Sequence, residues 1–72
     1  MSKTQVPSPI AGSISQIHIG DGERVSSGER IGEIELMKTM FSIEANADGI
    51  ITWKLPLGSV VAEDEIIAEI ED

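Results

Sequence analysis

Short β-branched runs separated by turn residues set the strongest limit on how this chain folds. Twelve isoleucines stand against three leucines, and β-branched side chains suit the pleated surface of a sheet better than a helix. Glycine, proline, serine and aspartate interrupt the apolar runs at short intervals, which is typical of many short strands joined by turns. The predicted strands lie near 4–6, 13–19, 24–25, 30–36, 40–45, 50–55, 60–61 and 65–70. This spacing predicts an all-β sandwich or barrel.

An internal repeat adds symmetry to that prediction. A shift of 36 positions superimposes Val25 on Val61, Ile31 on Ile67, Glu33 on Glu69, Ile34 on Ile70 and Glu35 on Glu71. A shift of 37 superimposes Gly12 on Gly49 and Ile14 on Ile51. We therefore expect two similar four-strand halves, packed face to face about a pseudo-twofold axis so that each buries the apolar face of the other.

Length, charge and cysteine content exclude several classes of protein. The 72 residues suffice for a single domain over 1–72, with a core from about 6 to 70, and no cysteine is available for disulfides or thiolate metal sites. The net charge of −8 argues against a nucleic-acid partner. The acidity either keeps a small monomer soluble or steers it to basic partner surfaces. No apolar run reaches membrane-spanning length. Without a signal-peptide core at its start, the chain is expected to be cytoplasmic, or organellar after import and cleavage.

A lysine between two methionines is the most distinctive local feature. The stretch reads Glu35-Leu36-Met37-Lys38-Thr39-Met40, between two apolar runs. The pattern predicts a β-hairpin with the Lys38 amine at its tip, where a modifying enzyme can reach it. Apolar alternation pairs Leu36 with Phe41 if Lys38 and Thr39 form the turn. Neither this turn nor one formed by Met37 and Lys38 has the Asn-Gly or Asp-Gly chemistry that tight hairpins prefer, so the register stays open.

No catalytic constellation accompanies Lys38. The chain has no Cys-His or Ser-His pair in a suitable context, no phosphate-binding glycine loop and no cluster of metal-ligand residues. The sequence therefore predicts no catalytic residue and no metal-binding residue. We expect the domain to present a group for other proteins to act upon.

The chain resembles the biotinyl/lipoyl carrier domains, most closely the biotinyl domain of biotin carboxyl carrier protein. The family's Glu-Ala-Met-Lys-Met signature is matched by Glu35 to Thr39, its entry pattern by Pro9-Ile10-Ala11-Gly12, and its Gly-x-x-Val step by Gly22 to Val25. Leu36 stands where the family has a small residue, and Thr39 where it has methionine. Lipoyl domains usually carry Asp-Lys-Ala at this tip, so Met37 favours biotin over lipoate.

The resemblance implies a fold, a cofactor and a set of partners. The fold would be a barrel-sandwich hybrid, a flattened barrel of two four-stranded antiparallel sheets, with Met37 and Lys38 in the turn. A biotin protein ligase would acylate Lys38, recognising Glu35, Met37, Thr39 and Met40. The attached biotin would carry a carboxyl group from a biotin carboxylase to a carboxyltransferase of an acyl-CoA-type carboxylase, with acetyl-CoA as the expected acceptor and fatty acid biosynthesis as the expected context. The domain would not be an enzyme by itself.

Two alternatives remain open. The first is a lipoyl carrier domain of a 2-oxoacid dehydrogenase or a glycine-cleavage system, with lipoate on Lys38. The second is an unmodified interaction domain of the same fold, in which Lys38 is an ordinary surface lysine.

Overall fold

The computed structural model describes residues 2–72, and the secondary structure within them is entirely strand. Met1, the first residue of the expected domain, lies outside the described residues. The eight predicted strands are confirmed, with ends that differ by at most two residues from those expected. Their bounds are β1 Lys3–Pro7, β2 Gly12–Ile17, β3 Arg24–Val25, β4 Arg30–Leu36, β5 Thr39–Glu44, β6 Gly49–Trp53, β7 Val60–Val61 and β8 Ile66–Glu71. No described segment is a helix that could cross a membrane.

The second strand is shorter than predicted because, beyond Ile17, its backbone N–H groups no longer have separate carbonyl acceptors on β4. The backbone N–H groups of His18 and Ile19 both donate to the carbonyl of Ile31, at 2.9 and 3.3 Å. Two donors that share one acceptor cannot continue a regular ladder. The strand therefore ends at Ile17, and the chain turns away from the sheet.

The strands form two four-stranded antiparallel sheets, in the orders β1-β8-β6-β3 and β5-β4-β2-β7. The predicted fold class is confirmed, but the two halves of the repeat are interlaced and not stacked. Each half contributes two strands to each sheet, because the chain changes sheet at nearly every connection. Within residues 2–72, the β4–β5 connection alone joins neighbours in the same sheet. The Lys38 segment is thus the tight hairpin of this topology.

The repeat is visible in backbone contacts as well as in strand order. A Cβ added to Gly12 would overlap the carbonyl oxygen of Glu35, and one added to Gly49 would overlap that of Glu71. These glycines are equivalent under the repeat, and each lets two backbones approach where no side chain fits. Gly28 and Asp64 likewise share a positive φ, of 89° and 68°. Asp64 therefore stands in the left-handed region where the first half has a glycine, and aspartate tolerates this region better than most residues.

Isoleucine side chains from both sheets fill the space between them. The buried set comprises Val6, Ile14, Val25, Ile31, Ile34, Ile43, Ala45, Ile51, Val61, Ile67, Ala68 and Ile70. Both strands of the Lys38 hairpin contribute, through Ile34 on β4 and Ile43 on β5. The hairpin is therefore held in the core at its base, while its tip lies outside.

Candidate functional site

Lys38 occupies the second position of a two-residue turn. Leu36 pairs with Thr39, so Met37 and Lys38 alone connect β4 to β5. Their φ angles are 52° and 65°, and two successive positive values define a type I′ turn, whose twist matches that of the flanking strands. Neither residue is glycine, asparagine or aspartate, so local preference does not explain this turn.

Of the two registers left open by the sequence, the structure adopts the one implied by the resemblance. The pairing of Leu36 with Phe41 from apolar alternation is not adopted, and Phe41 pairs with Ile34 instead. Leu36 and Phe41 are 41% and 37% exposed, so the core does not enforce their pairing. The two registers differ by two residues, which leaves each side chain on the same face of the sheet, so apolar alternation cannot distinguish them.

The Lys38 amine is accessible. Lys38 is exposed, and among residues 2–72 no side chain forms an ion pair or hydrogen bond with its Nζ. The neighbouring Met37 is 89% exposed. The geometry therefore fits a covalently attached group, since acylation of this amine disturbs no contact of the described chain.

The four predicted recognition residues surround the lysine in different ways. Met37 shares the turn, and Thr39 begins β5 beside it. Glu35 and Met40 pair across the strands on the outer face of the sheet, where the Ser15 hydroxyl donates to the Met40 sulfur at 3.7 Å. Met40 is thus packed onto the sheet and Met37 projects into solvent. Their recognition roles remain predictions.

Two residues near the site escaped the sequence prediction. Ser15 was assigned no role, yet it holds Met40 across the intervening strand β4. Val60 is 82% exposed and lies on the same sheet as the hairpin, while its neighbour Val61 is buried. A signal did exist for Val60, because in a two-residue strand one side chain must point away from the core.

Glu69, a carboxylate whose pKa is displaced, lies on the sheet that does not contain the Lys38 hairpin. The amide of Gln5 donates to Glu69 at 2.7 Å, and Lys54 approaches it at 3.1 Å. These contacts lower the pKa of Glu69, and the hydrogen bond from Gln5 has the largest effect. They join β1 and the residue after β6 to β8, and they do not touch Lys38. In residues 2–72, no group of His, Asp and Glu side chains is arranged to hold a metal ion.

An open cleft of about 370 Å³ lies away from the hairpin, lined by Ile17, Gly20, Asp21, Trp53, Lys54, Leu55 and Pro56. The Trp53 indole N–H donates to the carbonyl of Ile19 at 2.8 Å, so this ring is fixed in place. The cleft opens at the far end of β2, about 17 Å along the strand from the Lys38 end. It belongs to the framework and not to the Lys38 site.

Comparisons with known proteins agree with this geometry. A family model described as "Biotin-requiring enzyme" matches residues 4–70. A mitochondrial acetyl-CoA carboxylase of Saccharomyces cerevisiae is 31% identical over 70 residues, which cover 97% of this chain and 3% of that protein. The alpha3 subunit of a biotin-dependent acyl-coenzyme A carboxylase of Mycobacterium leprae is 28% identical over 67 residues, 92% of this chain and 11% of that protein. This chain therefore spans only a small part of those two relatives.

A solved structure supports the fold assignment. The urea carboxylase of Kluyveromyces lactis superposes with a TM-score of 0.87 over 99% of this chain and 6% of its own, at 22% sequence identity. At that identity the likeness concerns the fold alone. It agrees with the two-sheet architecture derived above.

Proposed function

This chain belongs to the family of biotin-requiring enzymes, and from that membership we propose that it is a biotin carboxyl carrier domain with its biotin on Lys38. One observation carries the proposal. The family match spans 4–70, and within it Lys38 is an accessible lysine at the tip of the tight hairpin. The other two lysines lie on or beside the opposite sheet, Lys3 in β1 and Lys54 just after β6.

The residues around Lys38 suit covalent attachment. A biotin protein ligase would use ATP to convert the biotin carboxyl to an acyl adenylate. The deprotonated Lys38 Nζ would attack its carbonyl carbon, so that the amide C–N bond forms, the bond to AMP breaks, and the lysine loses its proton and its positive charge. Bound biotin supplies a ureido nitrogen that accepts and donates a carboxyl group. The buried Ile34 and Ile43 hold the hairpin base rigid, so motion is restricted to the lysine side chain and what it carries. Tethering then raises the local concentration of the carrier group at a biotin carboxylase and at a carboxyltransferase.

For the acceptor we propose acetyl-CoA. The yeast relative is named an acetyl-CoA carboxylase, which supports this choice, whereas the mycobacterial relative is named for acyl-coenzyme A. Assays of acetyl-CoA and propionyl-CoA carboxylation by the full complex test the choice, and faster propionyl-CoA turnover contradicts it.

Intact-mass measurement tests the attachment. The wild-type chain is incubated with biotin, ATP and a biotin protein ligase, and in parallel with lipoate, ATP and a lipoate ligase. We expect one biotinyl group on the wild-type chain, none on Lys38→Arg, and one on Lys54→Arg as the matched control. Addition of a lipoyl group in place of biotin favours the lipoyl carrier alternative. A chain modified by neither enzyme contradicts both carrier functions and favours an unmodified interaction domain.

A further inference from the structure

A row of four paired residues crosses the whole sheet beside Lys38. Val60 of β7 pairs with Ser13 of β2, Ser13 pairs with Glu35 of β4, and Glu35 pairs with Met40 of β5. Directly paired residues point to the same side of a sheet, and Glu35 and Met40 point outward. The row therefore lies on the outer face, and it spans about 14 Å at the usual spacing between strands.

The two ends of this row are apolar, and its middle is polar. Val60 is 82% exposed and Met40 is 46% exposed. Between them lie Ser13 and Ser15, and the Met40 sulfur reaches over β4 to the Ser15 hydroxyl at 3.7 Å. We call these residues, with Glu35, the Val60–Met40 strip. Single exposed apolar residues are ordinary, but here the exposed valine is continuous with the modification hairpin.

Carboxylates lie within and beside the strip, together with Lys38 at the hairpin tip and with His18. Glu35 lies within it, and Glu33 lies in the next row of the same strand, bonded to His18 at 2.9 Å. The turn that follows β7 adds Glu63, Asp64 and Glu65. In the described chain, the strip itself contains no lysine or arginine. A complementary partner surface would be apolar opposite the two ends of the strip and basic opposite Glu35 and the neighbouring carboxylates.

We propose that the Val60–Met40 strip is the docking surface for the enzyme that acylates Lys38, and that Val60 anchors the end of it remote from the hairpin. The proposal rests on the function proposed above. Before modification, only the four-carbon side chain of Lys38 separates its amine from the backbone of the domain. The acylating enzyme must therefore hold the body of the domain against itself, whereas later partners meet a longer arm.

Two substitutions of Val60 separate the apolar and electrostatic parts of this docking. Val60→Thr keeps the shape and the β-branching but replaces a methyl with a hydroxyl. Val60→Lys adds a cation that repels a basic partner. In steady-state assays with a biotin protein ligase, we expect kcat/KM to fall about threefold for Val60→Thr and more than about tenfold for Val60→Lys, with the change in KM and not in kcat. For the wild type, kcat/KM should fall with added sodium chloride.

Ile50→Thr provides the matched control. Ile50 is an exposed β-branched strand residue, but it lies on the other sheet, between Arg24 and Glu71, and its substitution should leave kcat/KM unchanged. Trp53 fluorescence melts verify that each variant is folded. Rates for both Val60 variants within twofold of the control, or a wild-type rate that does not respond to salt, would overturn the proposal. A wild-type chain that is not acylated at all contradicts the proposed function instead, so the two failures are distinguishable.

Discussion

Replacing Lys38 by glycine is expected to stabilise the domain although it removes the attachment point. Met37 and Lys38 both adopt positive φ, at 52° and 65°, which costs an ordinary L-residue roughly 1–2 kcal/mol relative to the right-handed region. Glycine avoids this cost, but it also makes the unfolded chain more flexible, and the added entropy of the unfolded state lowers stability by about 0.4–1 kcal/mol. The net stabilisation is about 0.5–1 kcal/mol, a rise of roughly 2–8 °C in Tm for a domain of this size.

Urea and thermal denaturation followed by Trp53 fluorescence measure this difference, since the chain has one tryptophan. Met37→Gly should give a gain of the same order while keeping the lysine. Thr39→Gly is the control: Thr39 lies in β5 next to the turn without a positive φ. It should lose roughly 0.5–1 kcal/mol. If Lys38→Gly unfolds as early as Thr39→Gly, the turn stores no strain and the reasoning fails.

Strain at this turn has a functional explanation. A type I′ turn favours Asn-Gly or Asp-Gly, and the sequence has Met-Lys there. Strained backbone persists where the surrounding structure holds it and where the residue identity serves another purpose. The core contacts of Ile34 and Ile43 supply the first condition. Under the proposed function, the need for a lysine at the tip supplies the second.

Two further predictions concern the framework. Gly12→Ala should destabilise the fold by about 2–3 kcal/mol in urea denaturation, because its Cβ would overlap the Glu35 carbonyl oxygen. Gly20→Ala, whose Cβ would meet only the flexible end of Glu23 at 3.4 Å, should be nearly neutral, and equal losses would contradict the packing argument. The pKa of Glu69 is lowered by its bonds to Gln5 and Lys54, so the stability it contributes is present above its unfolded pKa and is lost as pH falls through the folded one. The free energy of unfolding of Glu69→Gln should therefore depend less on pH than that of the wild type below about pH 4.5. An unchanged pH dependence in that range would refute the stabilising role given to Glu69.

Much of the framework follows from local pattern. The strands were predictable because β-branched runs and turn residues alternate along the chain, and core positions such as Ile14 and Ile51 repeat at a fixed shift. Interlacing of the two halves was not predictable, since a repeat specifies which strands are equivalent but not which sheet each one joins. The ends of β2 and β6 were overestimated, because apolar residues such as Ile19 and Leu55 continue past the last ladder bond and pack against the core from outside the strands.

At the candidate site, the sequence by itself determined the identity of Lys38, its place between two strands and its neighbours Glu35, Met37, Thr39 and Met40. These are properties of adjacent residues, which local chemistry and family likeness can read. Only the tertiary structure decided that Met37 and Lys38 form the turn, because the two registers differ by two residues and leave each side chain on the same face of the sheet. It alone brought Val60 into the row of Glu35, because β2 lies between β4 and β7. Pairing between strands distant in the sequence depends on packing the whole core, and no local segment contains that information.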